Sequence, residues 1–358
     1  MQTSRSSIPM QTEQQSRNLD LLRACAVMCV FIGHGMLTLH GVNYLVGGFA
    51  RFGVMAFFVH TAFVLMQSLE RLERDGGNVT LRFYIRRLFR IYPLVIATVI
   101  AVAAFHIPAA AWKGVVPATG RTVLSNVLLI QNLVRKPDML VPLWSLPFEV
   151  QMYAVLPLVY FLVKRRGVNP LLLAFGCVLA SLPIFPAYFT GIIAYFPCFL
   201  AGVAAYRMSR MQKPQLSIVV FLVVLVGLCA AYTVARTYLR TYKPTWIFVE
   251  SVTDWLASLT IALLLPRIRE IPEGWVSRTA HQVAQYSYGV YVSHVIVMWF
   301  VYVKMAGTPI ALRIAVFVAA SVGVPVLAFH LLEQPALNLG KQVAAKFRRP
   351  ARVSAQAA

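Results

Sequence analysis

The sequence is poor in charge, and poorest in negative charge: 12 Asp and Glu stand against 33 Lys and Arg, and the four types together make up 13% of 358 residues. Soluble chains carry about twice that share, so water is not the main solvent of this one. Paired cysteines are missing too. Cys25, Cys29, Cys177, Cys198 and Cys229 all fall in apolar segments with no repeated ligand spacing, which argues against a disulfide framework and against a zinc site; no metal and no bound cofactor are expected. Nor is there a cleavable export signal. The first apolar run, from Leu19, is long, contains Arg23 and lacks a small-residue cleavage site after a short core, so it is expected to stay in the mature protein. The net charge of +21 does not mark a nucleic-acid partner, because the basic residues cap the ends of apolar runs instead of forming a patch on one soluble face. In that position they set topology and meet anionic lipid.

What is present is apolar length. The chain is 59% hydrophobic with a mean hydropathy of +0.69, and its apolar runs approach the ~20 residues that cross a bilayer. Ten spans are expected, at 18–39, 48–69, 90–106, 144–163, 170–189, 191–208, 216–236, 245–266, 283–304 and 310–332. The fold class is therefore all-α, a polytopic membrane helix bundle of about ten helices. It is organised as a cytoplasmic tail at 1–17, a membrane domain at 18–333 and a basic cytoplasmic tail at 334–358, with 1–16 and 348–358 read as disordered polar ends. An even number of spans puts both termini on one side. If that side is inside, the inner segments hold 22 Lys and Arg and the outer segments 9, so the positive-inside rule places both termini in the cytoplasm, as in a bacterial inner membrane. One outer loop, 107–143, is long and contains an apolar run at 123–134 broken by Asn126, Gln131 and Asn132. Too short to span, that run is either an interfacial helix or a re-entrant or lid element over an outward cavity.

An ionisable group inside a span is costly, and so is a functional candidate by default. The set comprises Arg23 and His34 in the first span, Arg51 and His60 in the second, Glu149 in the fourth, Asp254 in the eighth, His294 in the ninth, and His330 with Glu333 at the end of the tenth. Arg23 and His34 lie eleven residues apart, about 16 Å along a helix, so they occupy opposite halves of the bilayer; Arg23 alone would also suit a snorkelling anchor. Glu149 follows Trp144 and Ser145 at the outer end of its span, at roughly the depth of His34. The two read equally as a structural pair or as a general base with its orienting carboxylate. Arg87 and Arg90, three residues apart, present two forks on one helix face; they serve as topology anchors or as ligands for the phosphates of a nucleotide-like donor. His60, His106, His281 and His330 read as packing or surface residues.

Taken in order, these residues resemble the acyltransferase-3 (OafA-like) family of membrane O-acyltransferases over most of the chain. Arg23 and His34 resemble its Arg-x10-His element, and Arg87-Leu88-Phe89-Arg90 its RxxR element. Trp144 to Tyr153 resembles its WSLxxExQxY stretch, Ser287 to His294 its SYxxYxxH segment, and Glu333-Gln334-Pro335 its terminal Glu-x-Pro. Its Ser-Gly-Phe position reads Thr61-Ala62-Phe63 here, where Ala in place of Gly narrows close backbone approach. The resemblance implies acyl-CoA, acetyl-CoA in particular, as a co-substrate reaching the site from the cytoplasm, and a saccharide or other envelope or secreted hydroxyl compound as acceptor. It implies His34 as general base with Glu149, Arg87 and Arg90 with Arg23 on the donor, and His294, Tyr291, Thr61, Trp144 and Ser145 in supporting places. A soluble handover domain is not visible after the last span, so a reaction that needs one would draw on a separate periplasmic partner protein. The rival reading is a transporter or flippase for a saccharide or metabolite. It would favour paired half-length spans in two related halves, which the sequence does not show, and has no need of phosphate-matching arginines beside a buried His and Glu.

Overall fold

The computed structural model describes residues 16–41, 44–181, 192–211, 214–242 and 247–348; the expected polar ends lie almost wholly outside these. Twelve α-helices are described: α1 Arg17–His40, α2 Tyr44–Arg74, α3 Val79–Ala104, α4 Gly120–Val127, α5 Leu146–Arg165, α6 Pro170–Ser181, α7 Ile192–Ser209, α8 Ile218–Tyr242, α9 Ile247–Leu264, α10 Trp275–Trp299, α11 Ile310–Ala328 and α12 Gln334–Ala345. Among the described residues the only β-type pairing is one bridge, Leu216 to Ile268. Seven stretches are long and apolar enough to cross a membrane: α1, α2, α3, Val141–Arg165, α8, Trp275–Lys304 and Ile310–Ala345. The other three expected spans, at 170–189, 191–208 and 245–266, fall on α6, α7 and α9, each of which adjoins undescribed residues. A helical membrane bundle is thus present, and its count of ten spans remains an expectation.

Helix α2 is largely apolar up to Leu69, with Arg51 and His60 as its main exceptions, and sits at the centre, against α1, α3, α5, α7, α8 and α9. Small residues let its neighbours come close. A Cβ on Gly53 would lie 2.5 Å from the Ala26 carbonyl oxygen of α1, and one on Gly33 would lie 2.7 Å from Ala50 Cβ of α2. The turn into α3 is closed by the fully buried Arg82, which donates to the Gly76 carbonyl at 2.6 Å and pairs with Asp75 at 3.0 Å; Gly76 and Gly77 supply the positive φ that the turn requires. Asn78 caps α3 by accepting from Leu81 N at 3.0 Å.

Two π-helical turns, Phe300–Lys304 and Phe329–Glu333, extend α10 and carry α11 into α12. Residues 334–345, expected as the start of a tail, therefore form a helix packed on α3, where Gly340 admits Phe89. In the 107–143 segment the polar residues that break the apolar run stitch the loop together. Asn126 donates to the Pro137 carbonyl at 3.0 Å and accepts from Met139 N at 3.0 Å, while Gln131 donates to the Leu143 carbonyl at 3.2 Å. The run is α4 followed by turns, and it is the flanks of the loop, Ala109 to Val116 and Pro137 to Trp144, that wall a cavity.

Candidate active site

Inside the bundle α1, α2, α3, α5 and α10 enclose a narrow cavity of about 100 Å³. Three guanidiniums, Arg23, Arg87 and Arg90, line it together with Glu149. Glu333, buried at the π-helical end of α11, accepts from Arg90 at 2.8 Å. Arg90 also lies over the Tyr288 ring at 5.3 Å, and Arg23 Nε donates to Ser287 Oγ at 2.6 Å. Glu149 accepts a short hydrogen bond from Tyr153 and feels all three arginines. Three cations against two carboxylates leave the pocket one positive charge in excess. Arg87 Nε and Glu333 Oε1 are buried without a hydrogen-bond partner, so the polar lining is not self-satisfied and has capacity for a ligand. Thr61 and His60 of α2 complete the wall, and Ser145, bonded to Tyr291 at 2.7 Å, closes it on the side toward Trp144.

His34 lies beyond that closure. Its Nδ1 is 2.9 Å from His294 Nε2, with the rings stacked at 5.0 Å, and His294 Nδ1 is 3.0 Å from the Val290 carbonyl. The carbonyl can only accept, so His294 carries its proton on Nδ1 and offers a lone pair at Nε2; His34 must then donate from Nδ1. This leaves the His34 Nε2 lone pair free, the tautomer that a general base needs. His34 is buried beside Trp112 and lines a second cavity of about 310 Å³. Through Arg51, Lys113, Val141 and Trp144 this cavity continues into the one of about 810 Å³ walled by the 107–143 loop. There Asp138, outside the spans, is held above the usual carboxylate range by burial, against the hydrogen bond it accepts from Gln131. Val54 lines both the guanidinium pocket and the His34 cavity, and His294 stands next to Tyr291, ring centroids 6.2 Å apart. The two chambers are neighbours.

The structure thus brings Arg23, Arg87, Arg90, Thr61, Ser145, Tyr291 and Glu149 to one pocket, and His34 with His294 and Trp144 to the adjoining cavity. The expected His34–Glu149 pair does not form: His34 bonds to His294, while Glu149 belongs to the arginines and Tyr153. Counting depth from Trp144 put Glu149 near the outer surface, but Leu143, Ser145 and Leu146 are themselves buried, because the loop folds inward before α5 begins. His60, read from the sequence as packing, lines the pocket near Arg23; the sequence signal was its place beside Thr61. Ser287 and Tyr288 were quoted only as parts of a motif and Glu333 as one buried charge among several, and all three hold or face the pocket arginines.

The helical membrane bundle thus holds a buried basic pocket with a paired imidazole at its edge. The acyltransferase domain family matches residues 16–330, and the chain belongs to that family. The acyltransferase MdmB of Streptomyces mycarofaciens is 32% identical over 130 residues, a stretch that covers 33% of this chain and 30% of that relative's length. No solved structure matches.

Proposed function

We propose that the chain moves an acyl group, acetyl in the simplest case, from cytoplasmic acyl-CoA to a hydroxyl of a saccharide or other envelope or secreted acceptor, in a bacterial inner membrane with both termini in the cytoplasm. The observation that carries this reading is the bonded His34–His294 pair between a guanidinium pocket and a separate cavity. At about 100 Å³ the pocket is smaller than a nucleotide, so only the donor's reactive arm would enter it. The donor's phosphates would therefore lie at its charged mouth on Arg87 and Arg90, with Arg23 a third cation deeper in. In the direct form of the reaction, the acceptor O–H gives its proton to His34 Nε2 as its oxygen bonds to the thioester carbonyl carbon. The C–S bond then breaks, and the leaving thiolate takes the proton back from the imidazolium. His294 holds His34 in the reactive tautomer, and Glu149 balances the arginines.

The test uses purified protein in lipid nanodiscs with acetyl-CoA and a panel of saccharides, reading free thiol release and a mass gain of one acyl group on the acceptor. His34→Ala should lose about 10²- to 10⁴-fold in rate with donor affinity kept, and a near wild-type rate would refute the base assignment. Arg87→Lys and Arg90→Lys keep the charge and lose the planar fork; full donor affinity in both would remove the phosphate assignment. Mass spectrometry of glycans and secreted metabolites from deletion and restored cells then names the acceptor.

A further inference from the structure

The charge on the wall of the His34 chamber is of one sign. Arg51 of α2, Arg236 and Arg240 of α8 and Lys113 of the 107–143 loop line it, and among the described residues no carboxylate does. The balancing carboxylates sit on α9, off the cavity wall. Asp254 takes Arg51 at 2.8 Å and Arg236 at 3.0 Å, while Glu250 takes Arg236 and Arg240, each at 2.8 Å. Three guanidiniums thus meet two carboxylates, and in the loop Lys113 is offset by Asp138 on the adjoining wall. One positive charge is left over. A cavity whose low-dielectric walls present a single sign focuses its field on an incoming ion of the other sign, and an ionisable cluster at membrane depth is a functional candidate by default.

The junction between the two outer cavities is where that field is held ready. Arg51, Lys113 and Trp144 line both the His34 chamber and the loop cavity. Arg51 spends Nε and Nη2 on Asp254 and Tyr195 and lies over the Trp144 ring at 5.2 Å. Its Nη1 has no hydrogen-bond partner among the described residues, and 24% of the side chain is exposed. Lys113 is exposed and feels Asp138 without forming an ion pair with it, since Asp138 is engaged by Gln131 at 3.1 Å. A guanidinium fixed in place and a flexible ammonium are complementary holders of one carboxylate or phosphate. Trp112, its ring 6.1 Å from that of His34, adds an apolar face on which the C–H side of a sugar ring can lie. At about 310 Å³ the chamber is at the small end of ligand sites, which run from about 300 to 1,000 Å³. A compact acceptor is selected.

We propose that the acyl acceptor is a small anionic sugar, a sugar acid or sugar phosphate, whose anionic group rests between Arg51 and Lys113 while its ring lies against Trp112 and offers a hydroxyl to His34. The assignment deepens the acyltransferase mechanism above and rests on it.

Lys113 itself reports the site. The protein in phosphatidylcholine nanodiscs, without acyl-CoA, is treated with N-acetoxysuccinimide in the presence of methyl glucuronide, glucose 6-phosphate or neutral methyl glucoside. Acetylation of Lys113 and of the exposed Lys304 is read by peptide mass spectrometry. The anionic probes should slow labelling of Lys113 and not of Lys304, and methyl glucoside should need about tenfold more for the same effect. Protection by only one of the two anionic probes supports the site and names its anion. Arg51→Lys keeps the charge beside Asp254 and loses the fork, so protection should weaken about tenfold. With acetyl-CoA present, Lys113→Glu, which leaves the buried network intact, should cut the preference for anionic over neutral acceptor about tenfold, read as a ratio of kcat/KM values. An unchanged preference in that variant overturns the proposal even where Arg51→Lys fails to fold. Equal protection by charged and neutral probes, or none by any, overturns the anion site whatever the enzyme does. If phosphatidylglycerol in the nanodiscs protects Lys113 with no sugar present, the charge belongs to a lipid headgroup and the acceptor assignment falls. Transfer to methyl glucoside as efficient as to either anionic sugar overturns this assignment and leaves the mechanism above standing. Protection of Lys113 with no acyl transfer to any of the three sugars overturns that mechanism instead, and the acceptor role with it.

Discussion

If His294 fixes the tautomer of His34, removing it should slow chemistry without touching the donor. His294→Leu is the perturbation of choice, since it fills much of the same space and avoids a cavity. Both rings are buried, 7% and 2% exposed, so His34 would lose its side-chain partner and keep only its bond to the Val30 carbonyl one turn back on α1. One lost hydrogen bond is worth about 0.5–1.5 kcal/mol, and at about 1.4 kcal/mol per decade that is a loss of about 2- to 12-fold in kcat. KM for the acyl donor should stay the same, because the donor pocket is built by other side chains. His294→Gln is the rescue: its carbonyl can accept from His34 and its amide can donate to the Val290 carbonyl, so most of the rate should return. The assay is thiol release at saturating donor, with thermal midpoints to confirm folding. A double variant, His34→Ala with His294→Leu, should be no slower than His34→Ala alone if the two act as a unit. A wild-type kcat in His294→Leu, or losses that multiply in the double variant, would refute the dyad.

Glu333→Ala should strand Arg90 in a buried site and lower stability by about 3–5 kcal/mol, whereas Arg90→Met with Glu333→Leu should recover the thermal midpoint and still lose donor affinity. Gly53→Ala should push α1 from α2 and destabilise by about 1–3 kcal/mol, while Gly227→Ala, with open space around it, should raise stability by up to about 1 kcal/mol; denaturation of the pair in one detergent compares them directly. Reporter fusions active only in an oxidising compartment should be active at Lys113 and inactive at Arg166, and the reverse pattern would invert the proposed topology.

The membrane character of the fold was legible because a bilayer imposes a length and an apolarity that a soluble core does not. The basic pocket was legible in part. Arg23 and Glu149 stood out as charges within apolar runs and Arg87 with Arg90 as a spaced pair at the entry to one, and they do meet. Their pairing was not, because it depends on depth. Counting residues along a helix gives depth only when the helix starts at the interface, and α5 starts after an inward-folding loop. His294 was visible as a buried histidine, but the bond that matters, to Val290 one turn back, is a property of its rotamer.

The spacing of Arg23 and His34 acquires a reason from α10. Eleven residues are three helical turns to within about 20°, so both side chains project from one face of α1, the face that packs on α10. There Ser287 receives Arg23 and His294 receives His34, seven residues apart on α10, while Tyr291 between them holds Ser145. A single helix face therefore sets the donor-side guanidinium, the hydroxyl that closes the pocket and the base beyond it. That shared face suits the proposed reaction, in which acyl acceptor and acyl donor would approach from neighbouring chambers, because a base on a mobile loop would lose the sub-ångström registration that general base catalysis requires.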